Sequence, residues 1–180
     1  ALSMRGCKLT PDALHPIIMM LKENSSIKLL DIQRNDDVDV AATVELIQST
    51  RLEVLDVRLC GIKDEADACE VARALCASKT IHTLGFGHID GDSACEAFLA
   101  ELFESYPPAG PLHTLIISNH KDSTKMRGNQ LAQKLCKPNL MHYDEYTDIA
   151  LLTGHRLTFL PPDTHNFLVH RKRYNRKIHR

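Results

Sequence analysis

The sequence predicts an α/β fold in which short strands alternate with helices and successive strand–helix units stack in single file. Two observations predict it: an apolar spacing recurs at intervals of 25 to 31 residues, and a helical pattern follows most occurrences. Composition adds a third. Hydrophobic residues make up 43% of the 180, aromatics only 5%, and Trp is absent, so the core is expected to be layers of Leu, Ile, Val and Ala without large aromatic anchors.

The spacing emerges when Leu2, Leu30, Leu55, Leu84, Leu115 and Tyr143 are placed in register, with gaps of 28, 25, 29, 31 and 28 residues. Two positions after these anchors stand Met4, Ile32, Val57, Phe86 and Ile117; three before them stand Ile27, Leu52, Ile81, Leu112 and Leu140. Five positions after come Cys7, Asn35, Cys60, Ile89, His120 and Asp148. The pattern holds through five units and decays in the sixth, where Glu145 takes the second apolar place. The alternation reads as a short strand with two side chains directed inward. The Asn or Cys turns the chain and is placed to bond the loop backbone of its neighbours.

A helix is expected behind each strand. The first has Thr10 as cap and Pro11 at its first position, then Leu14, Ile17, Ile18 and Leu21 on one side. The next carries Val44 and Ile47, and the third Val71, Ala72, Leu75 and Cys76. The fourth has Leu99, Leu102 and Phe103, the fifth Leu131 and Leu135. No single unit can bury both its strand and its helix; stacking the units does. Residue 1 already falls in a strand with no polar cap before it, so upstream residues or another subunit are expected to cover that end.

Segments such as LEVLDVRLCGI (52–62) and IKLLDIQRNDDV (27–38) resemble the leucine-rich repeat superfamily, in its longer-repeat, ribonuclease-inhibitor-like class. The resemblance covers about residues 1–150 and implies a solenoid, with parallel strands on the concave face and α-helices on the convex face. Five to six repeats would occupy 1–150, and a C-terminal cap with a basic tail 151–180. The residues flanking each strand's inward pair would then face out of the concave side: Ser3 and Arg5, Asp31 and Gln33, Asp56 and Arg58, Gly85 and Gly87, Ile116 and Ser118, Asp144 and Tyr146. This row is the candidate binding surface, with Gly85 and Gly87 as places of close approach for a partner. The alternative is a solvated inner face whose partner binds elsewhere.

Beyond the repeats, Pro161 and Pro162 stop the preceding element, and a last helix from about 163 to 177 is expected to cap the core through Phe167, Leu168 and Tyr174. Charge is unevenly placed. Residues 170–180 hold Arg171, Lys172, Arg173, Arg176, Lys177 and Arg180 and no carboxylate. Setting these six aside leaves 16 basic against 23 acidic residues. An acidic body with a basic tail suggests that the tail meets an anionic partner, RNA included. Gly154-His155-Arg156-Leu157, Asn166-Phe167-Leu168-Val169 and Arg171-Lys172-Arg173 resemble the end of the tropomodulin actin-capping domain over about the last 65 residues. The upstream repeats lack that family's wording. As an alternative, this second resemblance implies actin-filament capping.

The six cysteines, at 7, 60, 69, 76, 95 and 136, form no CxxC pair and mostly fall at apolar positions, which reads as reduced core thiols. Of the ten histidines, His82 and His113 stand two places before their anchors and His142 one before Tyr143, so stacking would bring them near one another. No Cys/His spacing resembles a zinc site, however, and no phosphate loop, GxGxxG or GxSxG is present. The carboxylates at Asp36-Asp37 and Asp64-Glu65 fall in loops or at helix starts, where negative charge suits the dipole. No catalytic residue, metal or cofactor is therefore expected. No run of 18 apolar residues suggests a membrane span. The expected function is a protein-binding or scaffolding subunit of a larger intracellular assembly, in the cytoplasm or an organelle matrix such as the mitochondrial one, an organellar ribosome included.

Overall fold

In the computed structural model the described residues are 1–87, 92–107, 110–112, 114–118, 141–144 and 149–152. They form an α/β fold. In chain order the elements are β1 (Leu2–Ser3), α1 (Pro11–Glu23), β2 (Leu29–Asp31), α2 (Val40–Ser49), β3 (Val54–Asp56), α3 (Glu65–Ala77), β4 (Thr83–Phe86), α4 (Asp92–Ser105), β5 (Thr114–Ser118), β6 (Met141–Asp144) and β7 (Ile149–Leu152).

Strands β1 to β5 are parallel and pair in sequence order, and the anchors face one another across every rung: Leu2 with Leu30, Leu30 with Leu55, Leu55 with Leu84, Leu84 with Leu115. The ladder runs beyond the strands. Met4 N–H donates to Asp31 O, Ile32 N–H to Asp56 O and Val57 N–H to Gly85 O; two residues later Gly6 donates to Gln33, Arg34 to Arg58 and Leu59 to Gly87. In three successive units the residue four places after the anchor is left-handed, with φ of 62° at Gly6, 59° at Arg34 and 58° at Leu59. Only Gly6 announces this turn in the sequence, because glycine adopts positive φ without steric cost whereas Arg and Leu are held there by the ladder.

The helices start where their caps place them. Thr10 Oγ1 accepts from Ala13 N–H at 3.3 Å, Asp39 from Ala42 and Asp64 from Asp67, the last two at 2.9 Å. Each cap satisfies one of the N–H groups that a helix start leaves without a backbone partner, and each is worth about 1 kcal/mol. Leu14, Ile18 and Leu21 of α1 are buried at the spacing of one helix face, and the same core takes Leu46 and Ile47, then Val71, Ala72 and Leu75, then Leu99 and Leu102. Consecutive helices pack side by side over one layer of strands. Leu30, Leu55, Leu84 and Leu115 are fully buried in that layer, and truncating any one to Ala is expected to cost about 2–5 kcal/mol. Phe86 and Phe98 stack with ring centroids 4.2 Å apart and tie β4 to α4.

The sixth unit departs from the expected row. Tyr143 does not lie beside Leu115. It pairs with Ala150, in an antiparallel pair of β6 with β7, and β7 in turn runs antiparallel to β5, giving the order β1-β2-β3-β4-β5-β7-β6. The reason is connection length. A parallel neighbour needs a crossover of about a dozen residues or more, whereas only four separate β6 from β7, so these two pair as a hairpin does. Asp144, expected beside Ile116, is thereby one strand removed from β5, while Tyr146 lies outside the described residues. The helix expected around Leu131 and Leu135, the capping helix from 163 to 177 and the basic tail also lie outside them.

Candidate functional site

The expected binding row sits on one side of the sheet, at the places one and three residues after each anchor. Its members are linked as a polar chain. Ser3 Oγ donates to Asp31 Oδ2 at 3.3 Å, and Asp31 Oδ1 accepts the Gln33 N–H at 3.1 Å. Gln33 Nε2 then donates to Asp56 Oδ2 at 2.7 Å. Asp56 also accepts the Arg58 backbone N–H at 3.2 Å, Arg58 Nε at 2.9 Å and a terminal guanidinium nitrogen at 2.8 Å.

Burial changes along this chain. Ser3 is exposed and Arg5 and Asp31 are half-buried, but Gln33, Asp56, Arg58 and Ile116 are buried, with Asp56 at 1% and Arg58 at 3% exposure. The expectation that the whole row faces solvent is therefore corrected: of its described side chains, those nearest β1 are the accessible ones. Gly85 and Gly87 are buried too. What approaches Gly85 is the Asp56 carboxylate of the adjacent strand, which fills the space of a missing side chain. No partner is needed to explain that glycine. Ser118 ends β5.

Charges respond to this environment. Burial, then the neighbouring Asp56 charge, pushes the Asp31 carboxyl above the usual carboxylate range, against the Gln33 hydrogen bond and the charges of Arg5 and Arg58. Burial and the nearby Arg34 lower the Arg5 guanidinium, with Asp31 opposing them. Asp56 is engaged on both oxygens by Gln33 and Arg58, an arrangement suited to fixing strands together.

Five places after the anchors, the turn residues perform equivalent tasks. Asn35 Nδ2 donates to Met4 O of the preceding unit at 3.0 Å and to Ile32 O at 2.7 Å, while its Oδ1 accepts the Leu9 N–H at 3.0 Å. Cys60 Sγ takes the matching place one unit on, 3.3 Å from Ile32 O. Burial pushes the Cys60 thiol up to about 12, which makes it inert as a nucleophile. None of Cys7, Cys60, Cys69, Cys76 and Cys95 is in a disulfide. Cys60 and Cys95 are buried and Cys69 and Cys76 partly so, but Cys7 is exposed, because β1 has no preceding unit packed on it among the described residues. That corrects its reading as a core thiol. Cys136 lies outside the described residues.

A second cluster went unread in the sequence. Lys28, Glu53 and His82 occupy one equivalent place, two residues before successive anchors, and Glu53 bridges its neighbours: Lys28 Nζ is 3.3 Å from one carboxylate oxygen and His82 Nε2 3.4 Å from the other. His82 Nδ1 also lies 3.1 Å from Thr83 Oγ1. The Lys28 hydrogen bond, against a smaller effect of burial, holds the Glu53 carboxyl below its usual range. The signal was the shared offset, noticed for His82 and His113 alone because those two are the same residue type. His142 does not join them, since β7 separates its strand from β5, and His113 lies outside the described residues.

Among the described residues no group of three or more His, Cys, Asp or Glu is arranged to hold a metal ion, and no helix is long and apolar enough to cross a membrane. Comparison of the chain with protein-family models, with curated proteins and with solved structures returned no match.

Proposed function

We propose that this chain is a leucine-rich-repeat solenoid acting as a non-catalytic interaction subunit, which holds a protein partner against its β1–α1 edge. The observation that carries the reading is a contrast between equivalent positions. Leu30, Ile32, Leu52, Leu55 and Ile81 are buried, each covered by the units on either side, whereas Leu2, Met4, Ile17 and Ile27 at the β1–α1 edge are only partly buried. Met20, on the same side of α1 as Ile17, is 40% exposed, and Met19 beside it 45%. Arg5, Asp31 and Ser3 border this apolar edge with hydrogen-bonding groups. An apolar centre with a polar border is the composition of a protein-binding patch, and flexible Met side chains adapt to a partner's shape. Register identity across five strands and the recurring left-handed turn support the solenoid. The free cysteines suit a reducing compartment, the cytoplasm or an organelle matrix.

The test is native purification of the tagged full chain with and without Met20→Glu, followed by sizing. Expected is a complex of defined composition that the variant no longer forms, with unchanged thermal unfolding. Recovery of the parent chain alone as a monomer, or a complex indifferent to the variant, would overturn the reading.

A second reading rests on the tail, whose six basic residues and lack of carboxylates within 170–180 suit contact with RNA backbone. Deleting 170–180 should then reduce both RNA affinity and its salt dependence; no change in either would dismiss it.

A further inference from the structure

Lys28, Arg51, Glu53, Lys79 and His82 line a shallow groove of about 390 Å³ on the rim of the sheet, where the chain enters β2, β3 and β4, together with Thr80 and Pro111. We propose that this groove binds an acidic segment of a partner polypeptide. The proposal rests on the protein-binding reading above and gives it a second contact with a stated chemistry.

Charge carries the first part of the argument. Glu53 is the single carboxylate in the lining among the described residues, and its two oxygens are already met by Lys28 and His82. Arg51 and Lys79 are exposed, and among the described residues no carboxylate lies within ion-pair distance of either. Two cationic groups are thus left for a ligand, in a body whose charge is otherwise acidic. A local reversal of sign of this kind steers and orients a complementary partner.

Shape and chemistry carry the second part. Lys28, Glu53 and His82 stand just before successive strands roughly 4.8 Å apart, so the groove presents its polar groups in a row across the sheet, along which an extended peptide can lie. Its volume admits a few acidic side chains. Among the described residues the lining holds no Phe, Tyr or Trp, so bases of a single strand find no large aromatic platform to stack on.

The experiment uses the full chain and a short fluorescent peptide of alternating Asp and Ser, read by anisotropy beside its Asn counterpart and an oligouridylate of equal length. Expected is binding of the Asp peptide in preference to both, roughly tenfold weaker in the Arg51→Glu/Lys79→Glu variant and unchanged in Met20→Glu. Equal binding by the double variant, or preference for the oligouridylate, overturns the proposal. Weakening by Met20→Glu alone also overturns it while leaving the edge reading intact. A measurement needing no variant is carbodiimide coupling of the bound Asp peptide to the parent chain. Coupling at Lys28 and Lys79 supports the groove, whereas coupling confined to Lys172 and Lys177 assigns the peptide to the tail and overturns it.

Discussion

The carboxyl group of Asp56 lies over the α-carbon of Gly85 on the adjoining strand: a β-carbon at position 85 would stand 2.6 Å from Asp56 Cγ. Arg58 and Gln33 hold that carboxylate from the other side, so it cannot swing away. Gly85→Ala should therefore destabilise the fold by about 1–3 kcal/mol, the cost of overpacking a filled site. Gly6→Ala provides the contrast. That residue has φ of 62° with nothing within 4 Å of its missing β-carbon, so only the left-handed backbone is penalised, by about 1 kcal/mol. Urea unfolding of both variants checks this; a Gly85→Ala protein as stable as its parent would show that the carboxylate is not fixed.

Arg58 and Asp56 form an ion pair at 2.8 Å with side chains 4% and 1% exposed. Removing one partner leaves a buried charge, so Arg58→Met should cost about 3–5 kcal/mol. Replacing both charges, as Asp56→Asn with Arg58→Met, should cost clearly less than the sum of the single changes. A double-mutant cycle by chemical denaturation measures the difference, and additive single effects would mean that water reaches the pair.

Asn35 joins two units through three hydrogen bonds at 3.0 Å or shorter, one of them to Met4 O across the β1–β2 boundary. Asn35→Ala leaves the Leu9 N–H and two carbonyls without that partner in a buried place and should cost about 2–4 kcal/mol. The loss should appear first as faster amide exchange around residues 4 to 9. Uniform loosening of β2 to β4, with β1 unaffected, would contradict it.

Asp31 makes stability depend on pH in a predictable direction. Its folded-state pKa is raised, by burial and by Asp56, so protonation favours the native state. That contribution is complete below the unfolded value of about 3.9 and is lost as pH climbs through the higher folded value. Asp31→Asn has no such loss. Its stability relative to the parent should therefore increase between about pH 3 and pH 7, as followed by thermal unfolding. A relative stability that falls over the same interval would reverse the sign of the shift.

Cysteine reactivity offers a solution test of the packing. Exposed Cys7 should be alkylated readily at mildly alkaline pH, while Cys60, buried and with its thiol pushed up to about 12, should react only on unfolding. Peptide mass spectrometry after brief iodoacetamide treatment distinguishes them. Equal labelling of the two in native protein would place Cys60 outside the core.

Much of the fold was legible before any coordinates. Leu2, Leu30, Leu55, Leu84 and Leu115 line up rung by rung because apolar spacing is a direct record of which side chains must leave water. The Thr10 cap with Pro11 behind it was equally plain, since capping is local chemistry written in consecutive residues. The site was less so. Asp56 and Arg58 look like solvent-facing strand residues, and nothing in their neighbours in sequence states that Gly85 makes room for one and that both are buried. Lys28, Glu53 and His82 share no residue type, and a lysine, a glutamate and a histidine at one offset resemble ordinary surface polarity until the strands are set side by side.

By itself, then, the sequence determined the parallel run of strand–helix units, their register and the helix starts, because each depends on the periodic burial of apolar groups or on contacts within a few residues. Only the tertiary structure decided where that run ends, at the antiparallel pairing of β7 with β5, and which polar side chains remain accessible. Both outcomes depend on which distant segments come to lie against one another, and so on the competition of edges and charges for partners that no local pattern records.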